Sequence, residues 1–294
     1  MTSGLSPGIA LLMSAIPHLD TIAPLCGEAD VWFLDIWGVL HNGVRPFQGA
    51  VDACRNFRAH GGKVILVSNS PRPKSGVEKQ LDHIGVPKDV YDAVLTSGDV
   101  SRVLIAAFEG HPVFHLGPER DVPVFVGTGV ELASAIEAMA IVCTGLFDDE
   151  TEIPHDYDGR LKAFAKKRLP MICVNPDKTV ERGGRIIYCA GALAEAYEKL
   201  GGNVVYAGKP FAPIYEEAFS IAAQLTGAPV DASRVLAIGD GVSTDIAGAI
   251  DVGVRAVYIA SGVNMAKGED ISDAALRLFP DPEKRPIAVM IALG

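Results

Sequence analysis

Four short apolar runs in this chain end on residues that can do chemistry. Val31-Trp32-Phe33-Leu34 stops on Asp35, and Val64-Ile65-Leu66-Val67 stops on Ser68-Asn69. Val204-Val205-Tyr206-Ala207 leads into Gly208-Lys209-Pro210, and Val235-Leu236-Ala237-Ile238 into Gly239-Asp240. Unbroken apolar runs of this kind read as strands buried on both faces of a parallel sheet. If the four lie parallel, their carboxyl ends share one edge, which is where open α/β sheets bind ligands. That edge would collect a carboxylate, a hydroxyl, an ammonium and a second carboxylate, with Asp245 close behind Asp240. Such a set can transfer a phosphoryl group. One carboxylate attacks phosphorus and an aspartyl-phosphate forms. Attack by an anion on an anion needs neutralisation, which Mg²⁺ held by carboxylates and waters supplies. A lysine adds a further positive charge, and a hydroxyl orients an equatorial oxygen.

The elements that must position these groups can be read along the chain. After Asp35, Asn42-Gly43 signals a hairpin flap. A helix over Gln48 to His60 stops at Gly61-Gly62. Helices around Val77 to Ile84 and Asp99 to Phe108 flank a strand over Val90 to Leu95. Strand alternating with helix is the signature of a doubly wound parallel sheet. From 109 to 203 a second α/β pattern begins. It has strands at Val122 to Val126, Ile141 to Thr144, Met171 to Val174 and Ile186 to Tyr188. Its helices fall at Glu131 to Ala138, Tyr157 to Arg168 and Gly191 to Leu200. After Gly201-Gly202 the first pattern resumes, with strands over 204–207, 235–239 and Arg255 to Ile259 and helices over Pro210 to Thr226 and Thr244 to Ile250. The tail from Pro280 reads as irregular. The expected fold is therefore α/β. A doubly wound, Rossmann-like core spans 31–108 and 204–294, a smaller α/β domain is inserted at 109–203, and a helical extension covers 1–30.

Composition narrows the functional classes. The chain has 294 residues, 49% hydrophobic and 21% charged, which suits burial of more than one core. Its formal net charge of −10 argues against a nucleic-acid binder, which needs a basic face. The five cysteines form no Cys-x-x-Cys pair and read as reduced, structural thiols. The apolar stretch Ile9 to Ile16 is too short to span a bilayer. No Lys or Arg precedes Arg45, so the basic segment of a signal peptide is missing. The expectation is a cytoplasmic protein without a membrane partner.

The order and context of these motifs resemble the haloacid dehalogenase (HAD) superfamily. Asp35 in Leu-Asp-Ile-Trp-Gly-Val matches its first motif, Ser68-Asn69 the second, Lys209 in Gly-Lys-Pro the third, and Gly239-Asp240-Gly-Val-Ser-Thr-Asp245 the fourth. The insertion lies between the second and third. Its Asn175-Pro176-Asp177 and Gly191-Ala192-Leu193 look like the class IIA cap of nucleotide-sugar and phosphoglycolate phosphatase-like proteins. The string Trp-Gly-Val-Leu-His-Asn-Gly resembles a subgroup described as sugar phosphatases.

The resemblance implies a Mg²⁺-dependent phosphohydrolase acting on a small phosphorylated metabolite, and a homodimer formed through the cap. Asp35 would be nucleophile and metal ligand, with the Trp37 backbone carbonyl and Asp240 as further ligands and Asp245 ligating directly or through water. Ser68 would hydrogen-bond the phosphoryl group, Asn69 would support its loop, and Lys209 would stabilise the phosphoryl charge. Asn175 and Asp177 are candidates to touch substrate.

One position departs from the family pattern. The family's phosphatases carry a second aspartate two residues after the nucleophile, as general acid and base. Here that residue is Trp37, whose indole has one N–H donor and no acid-base function near neutrality. Loss of a general acid costs about 10²–10⁴-fold in rate. His41, in the flap, is the nearest side chain able to titrate near neutrality. Two outcomes follow: an enzyme limited to leaving groups that need little protonation, or a phosphometabolite-binding or regulatory protein with little turnover.

Overall fold

In the computed structural model, residues 15–182, 185–260 and 269–294 are described. Six parallel strands form the larger sheet: β1 (Val31–Leu34), β2 (Lys63–Ser68), β3 (Ala93–Thr96), β11 (Val235–Gly239), β12 (Arg255–Ile259) and β13 (Ala288–Met290). Their order is β13-β12-β11-β1-β2-β3. The chain winds outward from β1 in one direction through β2 and β3, and from β11 in the other through β12 and β13. The β1/β11 boundary is therefore the topological switch point, where a crevice opens at the carboxyl ends. Both neighbours of β1 are in parallel register: Leu34 faces Ile238 on one side and Leu66 on the other.

Period-two alternation distributes the apolar run over two cores. Trp32, Leu34, Leu66 and Ile238 face one layer, with helices α2 (Gln48–Ala59) and α3 (Lys74–Ile84) packed on them. Val31, Phe33, Ile65 and Ala237 face the other, which α7 (Ala212–Thr226) and α8 (Ala247–Asp251) help to cover. Trp32 stacks on Phe57 of α2 with ring centroids 4.1 Å apart. Burial of each such large side chain contributes about 1.5–3 kcal/mol, which fixes β1 as the central strand.

A second, five-stranded parallel sheet has the order β10-β7-β6-β4-β5. Its strands are β4 (Pro112–Leu116), β5 (Glu131–Leu132), β6 (Ala140–Cys143), β7 (Met171–Cys173) and β10 (Val204–Tyr206). Helices α5 (Asp158–Lys167) and α6 (Ala190–Lys199) cover one face through Leu161, Phe164, Leu193 and Tyr197. Helix α4 (Ser97–Ala106) gives Val100 to the larger sheet and Ile105 to the smaller one, so it ties the two together. An antiparallel hairpin, β8 (Thr179–Arg182) with β9 (Arg185–Tyr188), follows β7.

Several expectations need correction. Val204–Tyr206 is a strand, but it pairs with β7 in the smaller sheet and not with the core. An apolar run signals a strand without saying which sheet receives it; here Val205 is 42% exposed, as an edge position allows. Residues 122–126 are not a strand: Glu119–Phe125 is a 3₁₀ turn containing Pro123, which lacks a ladder donor. The helix expected over 131–138 is replaced by β5 and a turn. Pairing with β4 wins there, because the Ala133 N–H donates to the Val113 carbonyl. The tail from Pro280 is not wholly irregular: β13 closes the sheet edge by pairing with β12. A helix that the sequence did not signal, α9, spans Ile271–Leu278 just before it. The N-terminal extension is not helical over 17–19: the Val289 N–H donates to the Pro17 carbonyl and Leu19 N–H to the Val289 carbonyl. One helical turn, α1 (Ala23–Cys26), precedes β1. Most of the apolar stretch from Ile9 lies outside the described residues.

All five cysteines are free thiols, and burial pushes Cys54 and Cys143 up to about 12, which keeps them inert. Among the described residues no helix is long and apolar enough to cross a membrane.

Candidate active site

The switch point assembles the residues singled out from the strand ends. Asp35 leaves β1 with its N–H donating to the Ile238 carbonyl of β11 at 2.9 Å, which fixes its backbone between two strands. Asp240 follows β11 directly. A π-helical turn over Val242–Ile246 then folds Asp245 back, so that its Oδ2 accepts the Gly241 N–H at 3.1 Å. Carboxylate oxygens of Asp35, Asp240 and Asp245 lie within 4.8 Å of one another.

Lys209 reaches this cluster although its preceding strand belongs to the other sheet. Its Nζ donates to Asp35 Oδ1 at 2.6 Å, Asp245 Oδ1 at 2.7 Å and the Val67 carbonyl at 2.8 Å. Asn69 holds the lysine's backbone from both sides: the Lys209 N–H donates to Asn69 Oδ1 at 2.7 Å, and Asn69 Nδ2 donates to the Lys209 carbonyl at 3.0 Å. The amide therefore replaces the strand as the positioning device. Burial pushes the ammonium down, but Asp245 and Asp35 outweigh it and hold Lys209 protonated. Burial drives the Asp35 carboxyl well above the ordinary carboxylate range; Lys209 pulls it down, while Asp245 and Asp240 push it further up.

Three carboxylates around one ammonium leave a formal surplus of two negative charges in a largely buried site. Clustered like charges in low dielectric are unfavourable without a counter-ion. The donor set is hard oxygen, which fits a divalent cation such as Mg²⁺. Asp35, Asp240 and Asp245 each turn a carboxylate oxygen toward the others, and together these would hold such a cation, with Lys209 bonded to one oxygen each of Asp35 and Asp245.

Gly38 makes room for this arrangement. It has φ +81°, and a Cβ there would lie 2.2 Å from Asp240 Oδ2. Gly38→Ala is expected to displace the Asp240 carboxylate and to cost about 1–2 kcal/mol in backbone strain. A denaturant melt and a Mg²⁺ titration check this; unchanged stability and unchanged cation response would contradict it.

The flap forms as a turn over 42–45, with the Asn42 side chain accepting from the Val44 and Arg45 N–H groups at 3.0 Å each. Trp37 lines the cleft and meets the His41 ring edge-on, 5.2 Å between centroids. His41 is buried at 1% exposure, does not line the cleft, and accepts the Gly43 N–H on Nδ1 at 2.9 Å. Burial lowers its pKa to about 4, so it is a neutral imidazole at physiological pH. His41 is thus a packing partner of Trp37 and not the missing acid.

Ser68 lines the same cleft, with its Oγ accepting the Ser70 N–H at 3.2 Å. Asp177 also lines it and accepts from Asn69 Nδ2 at 2.9 Å. Asn175 does not line it: its Oδ1 accepts the Asp177 N–H at 3.0 Å, so it shapes the turn that presents Asp177. The cleft between the two sheets has a volume of about 1190 Å³. Its remaining wall includes Val44 and Phe47 beside the flap and Ile291 and Leu293 of the tail; the tail's share of this apolar side is not legible in the sequence, because the tail carries no strand signal.

Comparison with known proteins agrees with this geometry. A model of the haloacid dehalogenase-like hydrolases matches residues 32–131, and a HAD-hydrolase-like model matches 206–281. The crystal structure of a haloacid dehalogenase-like hydrolase from Brucella suis 1330 is 45% identical, with TM-score 0.84 over 94% of this chain and 100% of that one. The chain belongs to the haloacid dehalogenase-like hydrolase family. This hydrolase is also 25% identical to the sugar-phosphatase AraL of Bacillus subtilis strain 168 over 78% of its own length and 82% of that protein. Its fold matches a glycerol phosphate phosphatase from Mycobacterium tuberculosis, solved in complex with magnesium, with TM-score 0.67 at 22% identity over 92% of this chain and 76% of that one.

Proposed function

We propose that this hydrolase is a Mg²⁺-dependent phosphatase of a small phosphorylated metabolite, with sugar phosphates the leading class. The observation that carries the reading is the convergence of Asp35, Lys209, Asp240 and Asp245 at the switch point, with Ser68 on the same cleft. The names of the sugar-phosphatase and glycerol phosphate phosphatase relatives support it.

In this reading Asp35 attacks phosphorus and carries the phosphoryl group as an aspartyl-phosphate. Lys209 is held where it offsets charge on the nucleophile and on the transferred group. Ser68 donates to a phosphoryl oxygen, and Asn69 keeps the Ser68 and Lys209 loops in register. Asp35, Asp240 and the Trp37 carbonyl would hold Mg²⁺, with Asp245 acting directly or through water. Bound there, Mg²⁺ supplies the charge neutralisation that anionic attack requires. The five-stranded module acts as a class IIA-type cap, which excludes water and selects the substrate.

Mg²⁺ is expected to raise the melting temperature by mass action, and Asp240→Ala to remove that shift. An equal shift in both proteins would overturn the metal assignment.

Trp37 favours a second reading, a phosphometabolite-binding protein with little turnover. Single-turnover exposure to an activated phosphoryl donor separates the two, because a binder forms no aspartyl-phosphate.

A further inference from the structure

A phosphomonoester leaves as an alkoxide or aryloxide, and something must protonate it. Trp37 cannot, and His41 is neutral and turned away from the cleft. The proton must come from another side chain that faces the cleft. Asp35, Asp240 and Asp245 form the carboxylate cluster, and Lys209 is locked between two of them. Glu195 is paired with Lys178 at 2.8 Å and Lys199 at 3.4 Å; the Lys178 hydrogen bond in particular holds its carboxyl below the ordinary range. Glu198 accepts the Tyr206 hydroxyl at 2.9 Å. Burial, aided by that same bond, raises Tyr206 too far for it to release a proton readily.

Asp177 differs from all of these. It lies on the turn after β7, and two features hold that turn in place. Asn175 Oδ1 accepts the Asp177 N–H, and Gly191 at the start of α6 has no side chain where a Cβ would lie 2.1 Å from the Pro176 carbonyl. The turn projects from the smaller sheet onto the core, where Asp177 Oδ1 takes the Asn69 amide proton at 2.9 Å. Asn69 adjoins Ser68 and clamps Lys209, so the carboxyl is held beside the Ser68 and Lys209 loops on the cleft that Asp35 also lines. Among the described residues Oδ2 has no hydrogen-bond partner. The charged groups that face it are Lys209 and Asp245 of the core; Lys178, next on its own turn, is directed to Glu195. Burial raises its pKa, against the Asn69 hydrogen bond and Lys209, while Asp245 pushes it further up. The shift is toward holding a proton, the direction an acid needs.

We propose that Asp177 is the general acid and base of this hydrolase, supplied from the cap because position 37 cannot supply it. The proposal rests on the phosphatase reading above. As an Asp35 oxygen bonds to phosphorus, the bond from phosphorus to the leaving oxygen breaks, and that oxygen takes the proton of the Asp177 carboxyl. In the second half, water attacks the aspartyl-phosphate and passes a proton to the Asp177 carboxylate. The bond from phosphorus to Asp35 breaks, phosphate departs, and both side chains return to their starting states.

The test uses the full chain with Mg²⁺ and two substrates of one shape, phenyl phosphate and 4-nitrophenyl phosphate. The phenoxide needs its proton far more. Asp177→Asn retains an acceptor for Asn69 and is expected to lower kcat on both substrates, which share hydrolysis of the aspartyl-phosphate, but to lower kcat/KM, which reports the leaving-group step, on the order of 10²-fold on phenyl phosphate and far less on 4-nitrophenyl phosphate. Equal losses of kcat/KM on both, or no loss on either, would overturn the proposal. If the variant does not fold, the wild-type pH profile decides. An acid must be protonated, so kcat/KM for phenyl phosphate should fall as pH rises through an ionisation above the usual carboxyl range, a limb that kcat/KM for 4-nitrophenyl phosphate lacks. Identical profiles would overturn it. Acid-quenched phosphoenzyme from 4-nitrophenyl phosphate separates the two levels. Its absence in wild type removes the phosphatase reading and this proposal together, whereas its presence with an indifferent Asp177→Asn removes only this one.

Discussion

Asp35→Asn is expected to abolish hydrolysis, with a loss on the order of 10⁴-fold or more, the scale on which removal of a covalent nucleophile is felt. The carboxamide matches the carboxylate in shape, so it fits between Lys209 and the β1 backbone. It cannot attack phosphorus and carry the phosphoryl group. The variant should still melt cooperatively, because a carboxyl that burial, Asp245 and Asp240 push toward protonation against Lys209 is replaced by a neutral group. Turnover near the wild-type rate in a folded variant would mean that the nucleophile lies elsewhere.

Lys209→Met is expected to fail differently. Lys209 is 4% exposed and bonded to Asp35, Asp245 and a main-chain carbonyl. Its removal leaves buried carboxylates facing one another with no cation between them. Breaking a buried pair from one side costs about 3–5 kcal/mol. Hydrolysis should be lost as well, since the same ammonium offsets charge on the transferred group. Mg²⁺ should recover part of the stability, because it binds the same carboxylate cluster and stabilises the folded state by mass action. Urea unfolding with and without Mg²⁺ reads both effects. A variant as stable as wild type, indifferent to Mg²⁺, would contradict the electrostatic account of the site.

Much of the site is legible in the sequence, and the residues show why. Asp35 and Asp240 end apolar runs long enough to be buried strands, and a buried parallel strand has little choice but to deliver its last residue to the sheet's carboxyl edge. Ser68 is legible for the same reason. Lys209 reaches the expected place by a different route. Its run is a strand, but an edge strand of the smaller sheet, and the lysine is brought to Asp35 by the two hydrogen bonds of Asn69. No local pattern encodes a contact between residues 140 positions apart. His41 shows the opposite limit. Its type allows acid-base work, but the environment decides its charge, and burial with Nδ1 already accepting the Gly43 N–H hydrogen bond removes it from the chemistry.

The smaller sheet was read least well, because its strands are short and tertiary pairing outweighs local preference. Glu131–Leu132 is a strand because β4 accepts it. The turn at Asn175-Pro176-Asp177 was legible as a turn. That Asp177 lines the cleft and Asn175 does not follows from the Asn175 side chain, which turns inward to accept the Asp177 N–H.

The central claim is that Asp35 becomes phosphorylated. The direct measurement is peptide mass spectrometry of the Mg²⁺-loaded protein after brief exposure to 4-nitrophenyl phosphate and acid quench. One phosphoryl group on the peptide carrying Asp35, labile to hydroxylamine and absent from Asp35→Asn, is the predicted result. Release of 4-nitrophenol with no phosphoryl group on that peptide, or the same modification in Asp35→Asn, would contradict it.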